Sequence, residues 1–376
     1  MNITLSGKRL LGAIKAAAGI ASTNDDRQIL RNVLIAADAT GVQITATDTI
    51  VSLWLNLPVD DTIIVKKPGR VAVNAQQLLR VLGTIANRNI TLSCTPRTCS
   101  VTAEGSRFRL CVEDASEFPR IPRFSSRKPF ITIPGDLVSK MMSRAAFCAH
   151  DEESFQLMHG LLVVAEEKEL RMVATNGQRL AIVTSLFDVQ NKPEEPFEGA
   201  LVVPACHAEI VKRIVDKATE TMDVQFMASF LNFRTNLGEV SLRALAGNFP
   251  PYGMGIPNDL RRLTLDRRDF VEILKQATAL KSPTTNFVSL TFDKNKMIFH
   301  SIAEGAGESE IEYEFAWDEE PLKLTINPDF MLQTLSAIRG DDVDLEIGTV
   351  MTPTILREHD TGVGLKSFCV FAVVRQ

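Results

Sequence analysis

Three segments of this chain open alike, and that self-similarity limits the fold more than any other feature. They read "ITLSGKRLLGAIKAAAG" from Ile3, "ITIPGDLVSKMMSRAAF" from Ile131 and "LTLDRRDFVEILKQATA" from Leu263. Aligned on Thr4, Thr132 and Thr264, they set Leu10, Val138 and Phe270 at one shared position. Ile14, Met142 and Leu274 share the next, and Ala17, Ala145 and Ala277 the one after. Steps of four and three residues mark one face of a helix. Each segment therefore predicts a short strand, a turn and an amphipathic helix.

The likeness continues downstream. Alternating runs follow each helix ("VLIAADATGVQITAT", "GLLVVAEEKELRMVAT", "VSLTFDKNKMIFHS"), and each predicts a hairpin of half-buried strands. A second helix is expected over residues 74–88, 205–217 and 327–339. Asn74 and Asn327 suit its N-cap, and Pro328 suits the first helical position. The strands "NITLSC", "MDVQFM" and "DVDLEIG" come next, each with a further hairpin. The expected class is α+β, with three β-α-β-β-β-α-β-β-β units at residues 1–128, 129–260 and 261–376.

Composition excludes several alternatives. No apolar run approaches the roughly 18–20 residues of a membrane span. The N-terminal stretch lacks the layout of a signal peptide, so a cytoplasmic protein is expected. The 6 cysteines form no Cys-x-x-Cys pair and the 5 histidines are scattered, so neither zinc nor a disulfide framework is expected, and no cofactor. No nucleophile elbow, P-loop or dinucleotide loop points to an enzyme. Asp48 and Asn176 recur at matching repeat positions, which a structural turn explains.

Charge is sorted. The net charge is −5, yet the six expected helices carry 15 basic residues against 6 acidic ones. Lys8, Lys15, Arg80, Lys140, Arg144, Lys212, Arg213 and Lys275 are among them. Helices chosen for propensity alone would carry as many Glu as Lys and Arg. A shared basic surface on an acidic protein attracts a polyanion. No Trp or Tyr lies on these helices, and no helix-turn-helix or zinc finger appears. Sequence-independent contact with duplex phosphates is what remains.

One phrase is written twice. "ITATDTIVSL" at residues 44–53 and "VATNGQRLAI" at residues 173–182 share an Ala-Thr-Asx core, but only the second adds Gly-x-Arg-Leu.

With that phrase, with "LRNVLIAA", "ASEFPRIP", "AGNFPPYGMGIP" and "CVFAVVRQ", and with the threefold repeat, the chain resembles the bacterial DNA polymerase III beta subunit (DNA sliding clamp) family over essentially its full length. The resemblance implies a non-catalytic, head-to-tail homodimeric ring with twelve helices around duplex DNA. At about 8–10 Å per helix and about 10 Å of helix thickness, twelve helices leave a hole of roughly 22–28 Å, enough for a duplex and a water layer. It also implies a peptide pocket between the second and third repeats for DNA polymerase, clamp loader and repair proteins. Carried over residue by residue, that pocket uses Thr175, Asn176, Gly177, Gln178, Arg179 and Leu180. Phe249, Pro250, Tyr252 and Met254 add to it, as do Met351, Pro353, Ala372, Val373, Val374 and Arg375. Leu180, Pro250, Met351 and Val374 would form the apolar cleft, and Arg179 would position polar groups of the peptide. The duplex-contacting Arg of the first repeat would be Arg27, and the ring joint would set Arg107 and Phe108 opposite the region of Leu280 and the acids of residues 303–314. The chain departs from the family at Gln178, at Gly253-Met254-Gly255 and in the ending "AVVRQ". These departures imply an accessory clamp with altered partner preference; a clamp-like scaffold without stable DNA encirclement is the alternative.

Overall fold

Each repeat begins as expected, with a short strand that runs straight into a helix. In the computed structural model the described residues are 1–22, 25–152, 157–166, 168–186, 198–214, 221–280, 287–303, 305–359 and 365–372. The first repeat comprises β1 (Asn2–Ser6), α1 (Gly7–Ala18), β2 (Asn32–Asp38), β3 (Gly41–Thr47), β4 (Val51–Pro58), β5 (Ile64–Lys67), β6 (Gly69–Asn74), α2 (Ala75–Ile85), β7 (Asn89–Cys94), β8 (Thr98–Ala103) and β9 (Ser106–Glu113). The second comprises β10 (Ile131–Pro134), α3 (Gly135–Ala145), β11 (Gly160–Glu166), β12 (Glu169–Thr175), β13 (Arg179–Leu186), β14 (Glu198–Pro204), α4 (Ala208–Arg213), β15 (Thr221–Met227), β16 (Phe230–Arg234) and β17 (Gly238–Arg243). The third comprises β18 (Arg261–Asp266), α5 (Arg267–Ala277), β19 (Val288–Asp293), β20 (Lys296–Ala303), β21 (Gly307–Glu314), β22 (Leu322–Ile326), α6 (Pro328–Ala337), β23 (Asp342–Ile347), β24 (Thr354–Glu358) and β25 (Leu365–Phe371).

The fold is α+β with antiparallel sheets, as expected, but the unit is longer than the sequence pattern suggested. A strand (β6, β14 or β22) leads directly into each second helix, and the first repeat adds β5. "VAVN", "LVVP" and "LTIN" pass into the following helical segment without a loop, so the sequence shows no separate connection there. The caps were legible. The Asn74 side chain accepts from the Gln77 amide at 3.0 Å, and Asn327 accepts from the amides of Asp329 and Phe330.

Strand pairing does not respect the repeats. The described residues form two compact units, one from Met1–Ser139 and His207–Ala244, the other from Lys140–Asp188, Glu198–Cys206 and Leu245–Gln376. The first holds a 13-stranded sheet in which β17 of the second repeat pairs with β4 of the first. The second unit holds an 8-stranded sheet, in which β13 pairs with β25 of the third repeat, and a 4-stranded sheet, β21-β20-β19-β22. The second repeat therefore contributes half its strands to each unit, rather than folding on a sheet of its own.

The helices bury the faces that periodicity assigned. Leu10, Ala13, Ile14 and Ala17 of α1 are buried while Lys8 and Lys15 are exposed. On α5, Phe270, Ile273, Leu274 and Ala277 are buried while Lys275 is exposed.

Candidate partner cleft and basic helix faces

The doubled phrase folds into the same turn twice. In β12–β13, the Thr175 hydroxyl donates to the Arg179 carbonyl at 2.8 Å and accepts from the Gly177 amide at 3.1 Å. The Asn176 carboxamide oxygen accepts from the amides of Gln178 and Arg179, both at 3.0 Å. In β3–β4, Thr47 donates to the Val51 carbonyl at 2.9 Å and accepts from the Thr49 amide at 2.9 Å. Asp48 accepts from the amides of Ile50 and Val51 at 2.8 and 2.7 Å. Asp48 and Asn176 are thus turn-forming residues. Both turns need a left-handed residue, Gly177 at φ 85° and Thr49 at φ 79°. Gly adopts this conformation freely, whereas β-branched Thr is strained there.

Beyond the turn, β13 divides its residues between two faces. Leu180 and Ile182 join Val173, Ile355 and Val370 in a buried apolar cluster. Leu162, Phe249, Tyr252, Ile256, Leu260 and Phe368 pack against it, partly exposed. Phe249 and Tyr252 meet edge to face with centroids 6.2 Å apart, and the Arg171 guanidinium donates to the Tyr252 hydroxyl at 3.4 Å. Pro250 and Pro353 are half-buried, Gly177 and Gln178 are exposed, and Met254 and Met351 stand 87% and 64% exposed. The exposed Ala372 donates its amide to the Gln178 carbonyl at 2.8 Å. Val373, Val374 and Arg375 lie outside the described residues. Val173, Ile182, Ile355 and Val370 were not singled out from sequence; the period-2 alternation of "RLAIVTSL" and "SFCVF" carries their signal.

Arg179 requires a correction. Its guanidinium points to the opposite face of the sheet and is 7% exposed. It donates to the Phe147 carbonyl at 2.5 Å and to the Gln333 side chain, and it lies 4.3 Å from the Phe330 ring centroid. These groups occupy it on the helix side, so it does not face the cleft.

The basic residues divide in three. Lys8, Lys15, Arg80, Lys140 and Lys275 are exposed. Arg144 is another correction: it is buried on α3, donates to Glu358 through both terminal nitrogens, and lies within 3.5 Å of the Ser367 hydroxyl. A carboxylate neutralises it, so it offers nothing to a phosphate. Lys212 pairs with Glu209 at 2.5 Å, and the Arg213 side chain lies outside the described set. Arg27 is exposed but chelated by Asp25 at 2.9 and 3.0 Å, and the guanidinium holds that carboxyl below the usual carboxylate range. By residue type, α1 to α5 carry eleven cations (Lys8, Arg9, Lys15; Arg80; Lys140, Arg144; Lys212, Arg213; Arg267, Arg268, Lys275). Five acids oppose them across the six described helices: Asp136, Glu209, Asp269, Glu272 and Asp329. Arg88 and Arg339 fall beyond the helix ends, and Lys217 and Lys281 outside the described residues.

Among the edges that the described strands leave open are those of β9 and β21. β9 pairs along its length with β8 but with β6 only at Glu113 and Val112, and β21 ends the 4-stranded sheet. Along β9, Arg107 and Arg109 are exposed and Phe108 is half-buried. Along β21, Glu308, Glu310, Glu312 and Glu314 are exposed, while Leu280 is 40% exposed beside Gly307. No helix among the described residues is long and apolar enough to cross a membrane.

Comparison with known proteins covers almost the whole chain. Residues 1–122, 132–251 and 256–363 match the N-terminal, central and C-terminal domains of the DNA polymerase III beta subunit family. The beta sliding clamp of Caulobacter vibrioides is 25% identical over 96% of this chain and 98% of its own length. That of Bacillus subtilis is 22% identical over 95% and 96%. Among solved structures, the Bacillus subtilis DNA polymerase sliding clamp superposes with a TM-score of 0.91 at 20% identity, covering 100% of this chain and 99% of that one. The Pseudomonas aeruginosa sliding clamp bound to griselimycin superposes with a TM-score of 0.90 at 20% identity, covering 100% of each chain.

Proposed function

This chain belongs to the DNA polymerase III beta subunit family, and from that membership we propose that it acts as a homodimeric ring that encloses duplex DNA, keeps a polymerase on its template and recruits partners by short peptides. The observation that carries the reading is the sorted charge: eleven helical cations against five acids in a chain of net charge −5. A basic helix face holds phosphates weakly and without register, so a closed ring slides while topology retains it. Lys8, Lys15, Arg80, Lys140 and Lys275 carry those contacts; Arg144 does not. The chain performs no chemistry of its own and works in the cytoplasm beside the replication machinery. Repeats 1–128, 129–260 and 261–376 are the three segments of each half-ring.

Two further features support this function. The open edges of β9 and β21 are complementary in charge, Arg107 and Arg109 on one and four glutamates on the other. Antiparallel pairing of β9 with β21 of a second copy would hide both edges and bring Phe108 towards Leu280. The Leu180 cluster, with partly exposed Phe249, Tyr252, Ile256 and Leu260 packed against it, suits apolar anchors of a polymerase, clamp-loader or repair-protein peptide, and exposed Met254 and Met351 add apolar surface on neighbouring stretches of chain. Nothing favours the scaffold reading that dispenses with DNA.

Sedimentation at micromolar concentration, followed by retention on circular and linear DNA, tests the proposal. A species of twice 41.5 kDa that stays on circles and runs off linear ends is expected. A monomer that leaves both DNAs equally fast would end the ring proposal. Griselimycin, which the Pseudomonas aeruginosa clamp binds, is a probe for the cleft.

A further inference from the structure

The two units carry the same row of cross-strand neighbours, written once in polar residues and once in apolar ones. In the second unit the row runs Thr175, Leu180, Val370, Ile355, Glu346 across five strands, each residue paired with the next. In the first it runs Thr47, Ser52, Ser241, Asn232, Gln225, again paired one to the next. Cross-strand partners share a face of the sheet, so each row forms a continuous strip. The central positions are Leu180, Val370 and Ile355 in one strip and Ser52, Ser241 and Asn232 in the other. All six are buried.

The polar strip is a poor seat for an apolar anchor. The Ser241 hydroxyl and the Asn232 carboxamide oxygen are buried without a hydrogen-bond partner among the described residues. Both atoms are already shut off from solvent, so a Leu or Phe side chain laid over them would meet polar groups whose hydrogen-bonding capacity it cannot satisfy and would gain no apolar contact there. The strip is also closed at its end. Gln225 accepts from the Ser125 amide at 3.0 Å and donates to the Ser125 and Lys128 carbonyls at 2.8 and 3.2 Å, which fastens residues 125–128 over it. At the matching position Glu346 instead accepts from Arg262 and Arg357.

We infer that Ser52, Ser241 and Asn232 determine specificity, limiting each chain to a single apolar-anchored peptide, bound in the second unit, although the fold builds the strip twice. The inference rests on the proposed peptide cleft at Leu180.

The test uses full-length protein and a fluorescein-labelled pentapeptide carrying an adjacent Leu-Phe pair, read by anisotropy with stoichiometric titration. The native chain is expected to bind one peptide, and Leu180→Ser to lose it. In that Leu180→Ser background, adding Ser52→Leu and Ser241→Val is expected to restore binding, and adding Asn232→Ile to strengthen it. Folded variants that gain no binding would overturn the inference, as would a second native site that survives Leu180→Ser. If the native chain binds no peptide, the cleft proposal fails separately, and gain or no gain in the swapped chain still decides the inference. Should the large substitutions unfold the protein, Ser52→Val with Ser241→Ala removes both hydroxyls at little added volume, and the same two outcomes apply.

Discussion

Arg179 and Leu180 are consecutive on β13 and face opposite ways: the Arg179 guanidinium lies 4.3 Å from the centre of the Phe330 ring, while Leu180 sits in the apolar cluster with Val370 and Ile355. The two positions should therefore separate in experiment. Arg179→Ala leaves the Phe147 carbonyl and Gln333 without their donor, and is expected to cost roughly 1–3 kcal/mol. Leu180→Ser is expected to abolish peptide binding. Thermal melts beside peptide titrations check both; if Arg179→Ala lost peptide affinity at unchanged stability, the division of roles would be wrong.

Arg144 and Glu358 form a strut across 214 residues of sequence. Removing one partner of such a buried pair leaves the other uncompensated, at a cost of roughly 3–5 kcal/mol. Glu358→Gln should accordingly lower the denaturation midpoint clearly. Substituting Arg144 should leave the salt dependence of DNA binding unchanged, whereas Lys8→Ala or Lys15→Ala should each reduce the slope of log K against log salt by about 1. A slope that fell with Arg144 would restore it to the DNA-contacting set.

The paired turns predict opposite responses. Gly177→Ala places a Cβ at φ 85° and should destabilise by about 1–2 kcal/mol. Thr49→Asn, which tolerates φ 79° better and keeps a side chain, should stabilise by about 0.5–1 kcal/mol. Chemical denaturation measures both, and a destabilised Thr49→Asn would show that Thr49 is held by contacts rather than strained.

His359 gives a pH dependence of known sign. Its hydrogen bond to the buried Asp344 carboxylate, 2.9 Å long, raises its pKa above the ordinary 6.5. A raised folded-state pKa means that the imidazolium stabilises the fold fully below about 6.5 and ceases to do so as pH climbs through the raised value. Melting temperature should fall across that window in the native chain and not in His359→Gln. An NMR titration of the His359 ring that gave a pKa at or below 6.5 would remove the basis of the prediction.

Much of this protein is local information. Repeat period, helix faces and caps were legible because a helix of 3.6 residues per turn and a strand of two write their buried side directly into nearby residues. Leu10, Ile14 and Ala17 announce α1, and Asn327 with Pro328 announces α6. The same short-range code explains the omissions. β6, β14 and β22 are runs of five to seven residues that pass into the following helical segment without a loop, so little in the sequence marks them as separate strands, and a buried strand residue such as Val370 looks alike whichever strand adjoins it.

The sequence by itself determined the threefold repeat, the α+β class, the amphipathic helices and the surplus of cations upon them. Only the tertiary structure decided which cations face solvent, since the partner that removes Arg144 from that set lies on β24 of another repeat. It alone showed that the second repeat splits its strands between two units, and that Arg179 turns away from Leu180. The physical reason is that side-chain periodicity is set within a few residues, whereas cross-strand neighbours and buried ion pairs depend on which distant segments the fold brings into register.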